Sequence, residues 1–340
     1  MTMQSYGRGM MHASGGRRRH SSVRLILTLL LFAGATFHLS GQEHAASPGE
    51  EGRQEPVPAA PPVFKAHSDL VVLHVNVFDG KSDAVPDLPQ SAFTVLDEGR
   101  PQAITFFSDA DIPVGAGLVI DNSSSMITRR AMVIAGTKAF AESSHPEDEL
   151  FTVIFNEHVR FGLQPGVEFT RSRAQVEASL LRVPAGGRTA LFDAVIEAMD
   201  HVQHATHHKR VLIVLSDGDD NASSHSEADM LHRASRSDAL VYTISTIDFA
   251  HQGGNPGVLK RLAARSGGTA YSPRSADEVV RAFTEVARNI RRGYRIGYVP
   301  DRTGEDGDYR RVQVMVRVPG RNLTVRVRDG YTAGGDADPQ

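Results

Sequence analysis

Residues 114–125 read Val-Gly-Ala-Gly-Leu-Val-Ile-Asp-Asn-Ser-Ser-Ser, and the change of character at Asp121 decides the fold. Val114–Ile120 is a short, nearly continuous apolar run rather than an alternating one, which is the pattern of a parallel strand buried on both faces. Asp121 and the serines after it are residues that end a strand and open a helix. Working outward, the same kind of run recurs at Leu150–Phe155, Val211–Leu215 and Leu240–Ile247, with helical segments between. The clearest helix spans 276–291, where Val279, Phe283, Val286 and Ile290 form one stripe, and Ser275 with Glu278 makes a capping box at its start. Strand–helix alternation over about 113–292 predicts an α/β fold, a doubly wound and mostly parallel sheet with its chemistry at the carboxyl ends of the strands.

On both sides of this unit the rhythm changes to period two. Val71, Leu73, Val75 and Val77 alternate with Val72, His74, Asn76 and Phe78, and Asp79-Gly80 supplies a turn. Phe93–Leu96 and Ala103–Phe107 read as two more strands around the turn Asp97-Glu-Gly-Arg100. After 292, Val312, Val314, Val316 and Val318 alternate with polar neighbours, Pro319-Gly320 turns the chain, and Leu323, Val325 and Val327 follow. The sequence predicts a hairpin here. A lone hairpin is only marginally stable, so segments 63–110 and 293–332 are expected to pack together as a small β-sandwich. The α/β unit is then inserted between its halves, with a short tail at 333–340.

The N-terminus sets the expected compartment. Arg17, Arg18, Arg19 and Arg24 precede the apolar run Leu25–Phe37, which ends in small residues at Ser40 and Gly41. Residues 1–41 thus have the layout of a secretory signal, and the run is short for a membrane span of roughly 20 residues. Leu39-Ser-Gly-Gln42 is similar to a lipoprotein cleavage box, but Gln42 stands where a lipid-bearing cysteine would be. Residues 42–62, rich in Pro, Ala, Glu and Gly, read as a solvated spacer. The expectation is an exported protein, periplasmic or secreted, touching a membrane only if the N-terminal segment is an uncleaved anchor. The chain has no cysteine, which excludes disulfides, thiolate metal sites and a cysteine nucleophile. Removing the five arginines of residues 1–41 leaves 32 basic against 40 acidic residues, a net charge of −8 that does not suit a nucleic-acid partner.

Three pieces of sequence carry candidate chemistry. Asp121, Ser123 and Ser125 offer a carboxylate and two hydroxyls within five residues, directly after a strand. Thr189 lies in Gly186-Gly-Arg-Thr189 at the start of a helix, and Asp217 lies in Leu215-Ser-Asp-Gly218 at the end of another strand. On a parallel sheet all three fall on one edge and converge. An all-oxygen set with two carboxylates suits a hard divalent cation, Mg²⁺ first, with Mn²⁺ or Ca²⁺ as alternatives. If some contacts run through water, one coordination position stays open for an outside carboxylate. Taken one at a time, Asp121, Ser123 to Ser125 and Thr189 read more readily as helix caps, and it is their combination that points to a metal.

Asp-x-Ser-x-Ser after a first strand, a distant Thr and Asp-Gly after a later strand resemble the metal-ion-dependent adhesion site of von Willebrand factor type A (VWA) domains. That resemblance covers about 113–292 and implies a Rossmann-like fold. It also implies metal ligands Asp121, Ser123 and Ser125 from the first loop, Thr189 from the second and Asp217, through water, from the third. Ser124 replaces the usual glycine between the serines, and Arg188 intervenes between the glycine pair and Thr189. The closing Arg328-Asp-Gly-Tyr331 and the flanking β segments resemble an exported VWA-related subgroup frequent in acidobacteria.

Other readings are weaker. Ser124 sits in no Gly-x-Ser-x-Gly elbow, and an aspartyl nucleophile would want a second Asp where Ser123 stands, so no enzyme is expected and no catalytic residue is assigned. Asp217–Asn221 begins like a calcium loop but has Ala222 at the sixth position and Ala228 at the twelfth. His201, His204, His207 and His208, at near-helical spacing, read as a solvated helix end. The first expectation is a metal-dependent protein-binding or adhesion module whose ligand presents Asp or Glu. The second is a structural scaffold that binds without metal.

Overall fold

The computed structural model describes residues 70–80, 83–182, 184–246, 254–301 and 307–333. The signal and spacer expected over 1–62 lie outside these residues. Among the described residues, no helix is long and apolar enough to cross a membrane.

The chain begins with β1 (Val71–Asp79), β2 (Asp83–Ala84), β3 (Phe93–Asp97), β4 (Arg100–Gln102) and β5 (Ile104–Ser108). The α/β part follows: β6 (Gly115–Asp121), α1 (Arg130–Ser143), β7 (Glu149–Phe155), β8 (Val159–Phe161), α2 (Arg173–Leu181) and α3 (Leu191–His201). It continues through β9 (Arg210–Ser216), α4 (Glu227–Arg236), β10 (Leu240–Ser245), α5 (Pro256–Ser266), β11 (Ala270–Tyr271) and α6 (Ala276–Arg291). The chain then returns to β structure in β12 (Tyr294–Tyr298), β13 (Tyr309–Val316), β14 (Leu323–Arg326) and β15 (Gly330–Thr332).

Among the described residues the central sheet has six strands in the order β11-β10-β9-β6-β7-β8, all parallel except β8. Successive residues of β6 serve opposite layers. Ala116, Leu118 and Ile120 pack with Val133 and Phe140 of α1, Leu180 of α2, and Val279, Phe283 and Val286 of α6. Val119 packs on the other face with Val195 and Met199 of α3, Met230 of α4 and Leu262 of α5. Each large apolar side chain withdrawn from water in this way contributes ~1.5–3 kcal/mol, which is why an uninterrupted apolar run, polar on neither face, specifies this strand. Gly117 makes room on the α3 face: a Cβ there would stand 2.3 Å from the Phe151 ring and 2.8 Å from Leu212.

β6 is the switch point of the sheet. It pairs with β7 on one side and β9 on the other. From β6 the chain leaves toward the α1 layer, and from β9 toward the α4 layer. The two connections therefore part above a crevice at the carboxyl ends of β6 and β9, where an open α/β sheet places its ligands.

The flanking strands make two antiparallel sheets, β14-β1-β12-β5 with β2 beside β1, and β15-β13-β3-β4. Leu73, Val75, Phe93, Val95, Tyr294, Ile296, Tyr298, Val312 and Val314 share the core between them. The hairpin expected at Pro319-Gly320 is corrected here: β13 pairs with β3 and β15, whereas β14 pairs with β1. The turn carries the chain from one sheet to the other. Val312 and Val314 then face the opposite sheet across the core, which buries them, instead of lying beside β14 on one exposed ribbon.

The sequence reading also missed β12, a short alternating run lying between β1 and β5 at the heart of its sheet. Inside the sandwich, fully buried Asp97 accepts hydrogen bonds from Tyr298 Oη at 3.0 Å and Tyr331 Oη at 2.9 Å. Arg310 Nη2 pairs with the same carboxylate at 2.8 Å. That network accounts for the tyrosine of Arg328-Asp-Gly-Tyr331.

Only Arg292 and Gly293 separate α6 from β12. The seam is tied by Arg291, which pairs with buried Asp148 and with Asp111, and by Lys209 Nζ, which donates to Ile290 O. Burial pushes the Lys209 ammonium down to about 8, with the Arg291 charge adding to the effect. Asn76 Nδ2 donates to Tyr242 Oη at 3.2 Å across the same seam.

Candidate metal centre

The first loop grows out of β6. Asp121 is the last residue of the strand and is 1% exposed. Its Oδ1 accepts from Ser123 N at 2.9 Å, and its Oδ2 accepts from Ser216 Oγ at 2.6 Å. Ser123 precedes a short 3-10 turn, Ser124–Arg129, but its hydroxyl does not cap that turn. It lies instead 3.1 Å from Ser125 Oγ. Ser123 is buried whereas Ser125 is exposed, so the pair runs from the interior to the surface.

The second loop is clamped between the other two. Ser124 N donates to Gly187 O at 3.1 Å, and Gly186 N donates to Asn122 O at 2.9 Å. Thr189 N donates to Asn221 Oδ1 at 2.9 Å, and Thr189 O accepts from Asn221 N and Ala222 N, each at 2.9 Å. Thr189 is 4% exposed, and Ala190, not Thr189, is the N-cap of α3. The cap alternative therefore accounts for neither the Ser123 nor the Thr189 hydroxyl.

The third loop leaves β9 at Ser216-Asp217-Gly218. Asp217 is 5% exposed, and its Oδ1 accepts from Asp219 N at 3.2 Å. Gly218 has φ +87°, a conformation that side chains rarely adopt. A Cβ there would stand 2.3 Å from Asn255 O. Only glycine passes beneath that carbonyl and keeps Asp217 aimed at the crevice.

Electrostatics set this cluster apart from an ordinary loop. Burial raises the Asp121 carboxyl from 3.8 to about 6. Hydrogen bonds from Ser123 and Ser216 oppose the rise, while the charge of Asp217 adds to it. Asp219 is also raised, by burial and then by Asp217. Among the described residues the cation drawn toward Asp217 is Arg129, whose Nη1 lies 3.8 Å from Asp217 Oδ2. A divalent cation bound beside the Asp121 carboxylate would offset the cost of its burial. Neutral hydroxyl donors with two carboxylates fit a hard cation. The 3.1 Å between Ser123 Oγ and Ser125 Oγ matches the edge of about 3 Å expected for octahedral Mg²⁺ with ligands at ~2.1 Å. Among the described residues, no group of three or more His, Cys, Asp or Glu is placed to hold a metal. That leaves this hydroxyl-rich set as the candidate.

The residues named from sequence thus occupy three loops that hydrogen-bond to one another at the switch point. Sequence reasoning gave no role to Ser216, which joins β9 to Asp121, to Asn221, which holds the Thr189 loop, or to Arg129. Ser216 was signalled by its place beside Asp217 at the strand end. Asn221 and Arg129 carry no local signal, since their partners are remote in sequence. In the histidine segment His204 and His208 are exposed, as a solvated helix end requires, whereas the His201 ring packs with its centroid 4.6 Å from that of Phe151, 4.5 Å from Phe161 and 5.0 Å from Phe169.

This is a doubly wound α/β protein with an oxygen-donor cluster at its switch point. Residues 117–219 match the family model of the von Willebrand factor type A domain. Among curated proteins, none matches the chain. Among solved structures, it is similar to a von Willebrand factor type A protein from Catenulispora acidiphila. That match has 16% identity and a TM-score of 0.47, covering 82% of this chain and 78% of the other. It is also similar to the vWF domain of the type V pili tip protein Mfa5 from Porphyromonas gingivalis, at 15% identity and TM-score 0.44, covering 53% of this chain and 96% of the other. A third similar structure is proximal thread matrix protein 1 from the mussel byssus with a zinc-occupied MIDAS motif. Identity there is 16% and the TM-score 0.43, covering 57% of this chain and 49% of the other.

Proposed function

We propose that this chain is a metal-dependent protein-binding module acting outside the cytoplasmic membrane. Asp121, Ser123, Ser125, Thr189 and Asp217 hold one divalent cation, Mg²⁺ by preference, and an Asp or Glu of a protein ligand completes its coordination. The observation that carries this reading is the buried Asp121 carboxylate beside Ser123, whose hydroxyl caps no helix and lies 3.1 Å from that of Ser125. Ser125 stands at the solvent side of the cluster, where an outside carboxylate would approach. The chain's role at this site is to bind and orient, and no nucleophile with its base is assigned.

Thermal melting of the full chain in EDTA, then with Mg²⁺, Mn²⁺ or Ca²⁺, tests the site. A cation at 100 times its Kd stabilises by about 2.7 kcal/mol, and Ser125→Ala is expected to lose most of that gain while melting normally in EDTA. A wild-type melt indifferent to all three cations refutes the metal. Capture of an acidic protein ligand is expected to vanish with EDTA and with Asp121→Ala. Capture that survives both would leave a metal-independent scaffold as the function.

A further inference from the structure

We infer that Arg129 is a built-in counter-charge that competes with the divalent cation for Asp217 and so sets the affinity of the site. This rests on the metal reading above and concerns how the site is regulated.

The placement of the Arg129 side chain carries it. Arg129 closes the short 3-10 turn Ser124–Arg129 that follows the serine loop and leads straight into α1. Its Nη1 is buried without a hydrogen-bond partner, although a guanidinium beside a carboxylate ordinarily forms a close fork. That nitrogen lies 3.8 Å from Asp217 Oδ2, and the side chain is 17% exposed. The next residue, Arg130, is used differently: it donates to Asn122 Oδ1 at 3.0 Å and to Leu180 O at 3.0 Å. Arg129 is thus presented to the third loop as a charge, held just short of direct contact.

Without metal, Asp121 and Asp217 share a crevice and repel. Arg129 offsets part of that repulsion. An arriving divalent cation takes over the same role with twice the charge, and must then bear repulsion from the guanidinium or displace it. A monovalent cation offers no more charge than Arg129 already provides. The residue therefore lowers affinity for every cation and leaves the site to those with charge enough to prevail.

The test is isothermal titration of Mn²⁺ and of Mg²⁺ into the full chain, Arg129→Gln, Arg129→Lys and Ser125→Ala, with melting in EDTA alongside. Solvent screening of a partly exposed charge limits the change, and Arg129→Gln is expected to bind Mn²⁺ about tenfold more tightly than wild type. Arg129→Lys keeps the charge and is expected to stay near the wild-type Kd. In EDTA, Arg129→Gln should melt below Arg129→Lys, because the carboxylates have lost their counter-charge. If Arg129→Gln does not fold, Arg129→Met makes the same neutralisation at similar length. A wild type that binds Mn²⁺ with neutral variants that bind no more tightly overturns the role of Arg129 and leaves the metal site standing. No uptake by wild type or by either neutral variant overturns the metal reading, and the inference with it.

Discussion

Replacing Asp121 by Asn should stabilise the metal-free protein while abolishing its response to metal. The substitution is isosteric. The Asn Oδ1 can still accept from Ser123 N, and its Nδ2 can donate to the Ser216 hydroxyl, so both hydrogen bonds at 2.9 and 2.6 Å have replacements. What is lost is a buried charge. The rise of the carboxyl from 3.8 to about 6, at about 1.36 kcal/mol per pH unit, corresponds to about 3 kcal/mol against the ionised native state. The folded protein holds this proton more tightly than the unfolded chain does. Stability contributed by the group is therefore present at low pH and lost as pH rises from about 4 through about 6. Urea unfolding in EDTA reads it as a difference between the two proteins, so carboxylates common to both cancel. The variant's advantage should be under about 1 kcal/mol at pH 4 and about 3 kcal/mol at pH 7.5. Mg²⁺ at about 1,000 times its Kd, worth about 4 kcal/mol to the wild type alone, should reverse the order at pH 7.5. A variant less stable than wild type in EDTA at pH 7.5, or an advantage that does not grow with pH, would refute the idea that Asp121 is held at a cost in stability.

Two further outcomes follow from the packing. Asp97→Ala strands the Arg310 guanidinium and two tyrosine hydroxyls in the sandwich core, and should lower the urea-derived stability by about 3–5 kcal/mol; a loss under about 1 kcal/mol would show the network to be dispensable. Gly218→Ala combines a left-handed backbone with a Cβ 2.3 Å from Asn255 O. It should cost about 1–3 kcal/mol and displace Asp217, so that melting no longer responds to Mg²⁺; an unchanged melt and response would mean that the third loop tolerates the shift.

The parallel sheet was legible because burial on both faces writes itself into each strand as an unbroken apolar run. Leu150–Phe155 and Val211–Leu215 fall within observed strands, and of Val114–Ile120 all but Val114 do. Asp121 and Asp217 stood out because each ends such a run. The sandwich was legible as strands but not as pairings. The alternation of Val312 and Val314 tells which face is buried, yet β13 and β14 show the same alternation whether they pair or face one another across a core. The strand Tyr294–Tyr298 was hidden by its shortness and by following α6 after only two residues. At the site, Ser216 and Arg129 take their meaning from partners in other loops. Arg129 meets Asp217 only after the sheet has brought β6 and β9 together.

The direct passage of α6 into β12 gives the molecule a mechanical axis. The α/β part is joined to the sandwich through Ser108, the end of β5, and through Tyr294, the start of β12. These two neighbouring strands are antiparallel and meet the α/β part at the same end, with Ser108 opposite Arg295. A ligand pulling on the metal edge would draw both together as one ribbon. A tether acting upstream of Val71 would pull β1 the other way, from the end where Val71 faces Tyr298, while β12 is drawn from the end where Tyr294 faces Val75. Tension between ligand and tether would then load the β1–β12 ladder in shear, every rung at once, rather than peel it open rung by rung. That geometry makes the sandwich a joint that resists tension along this axis.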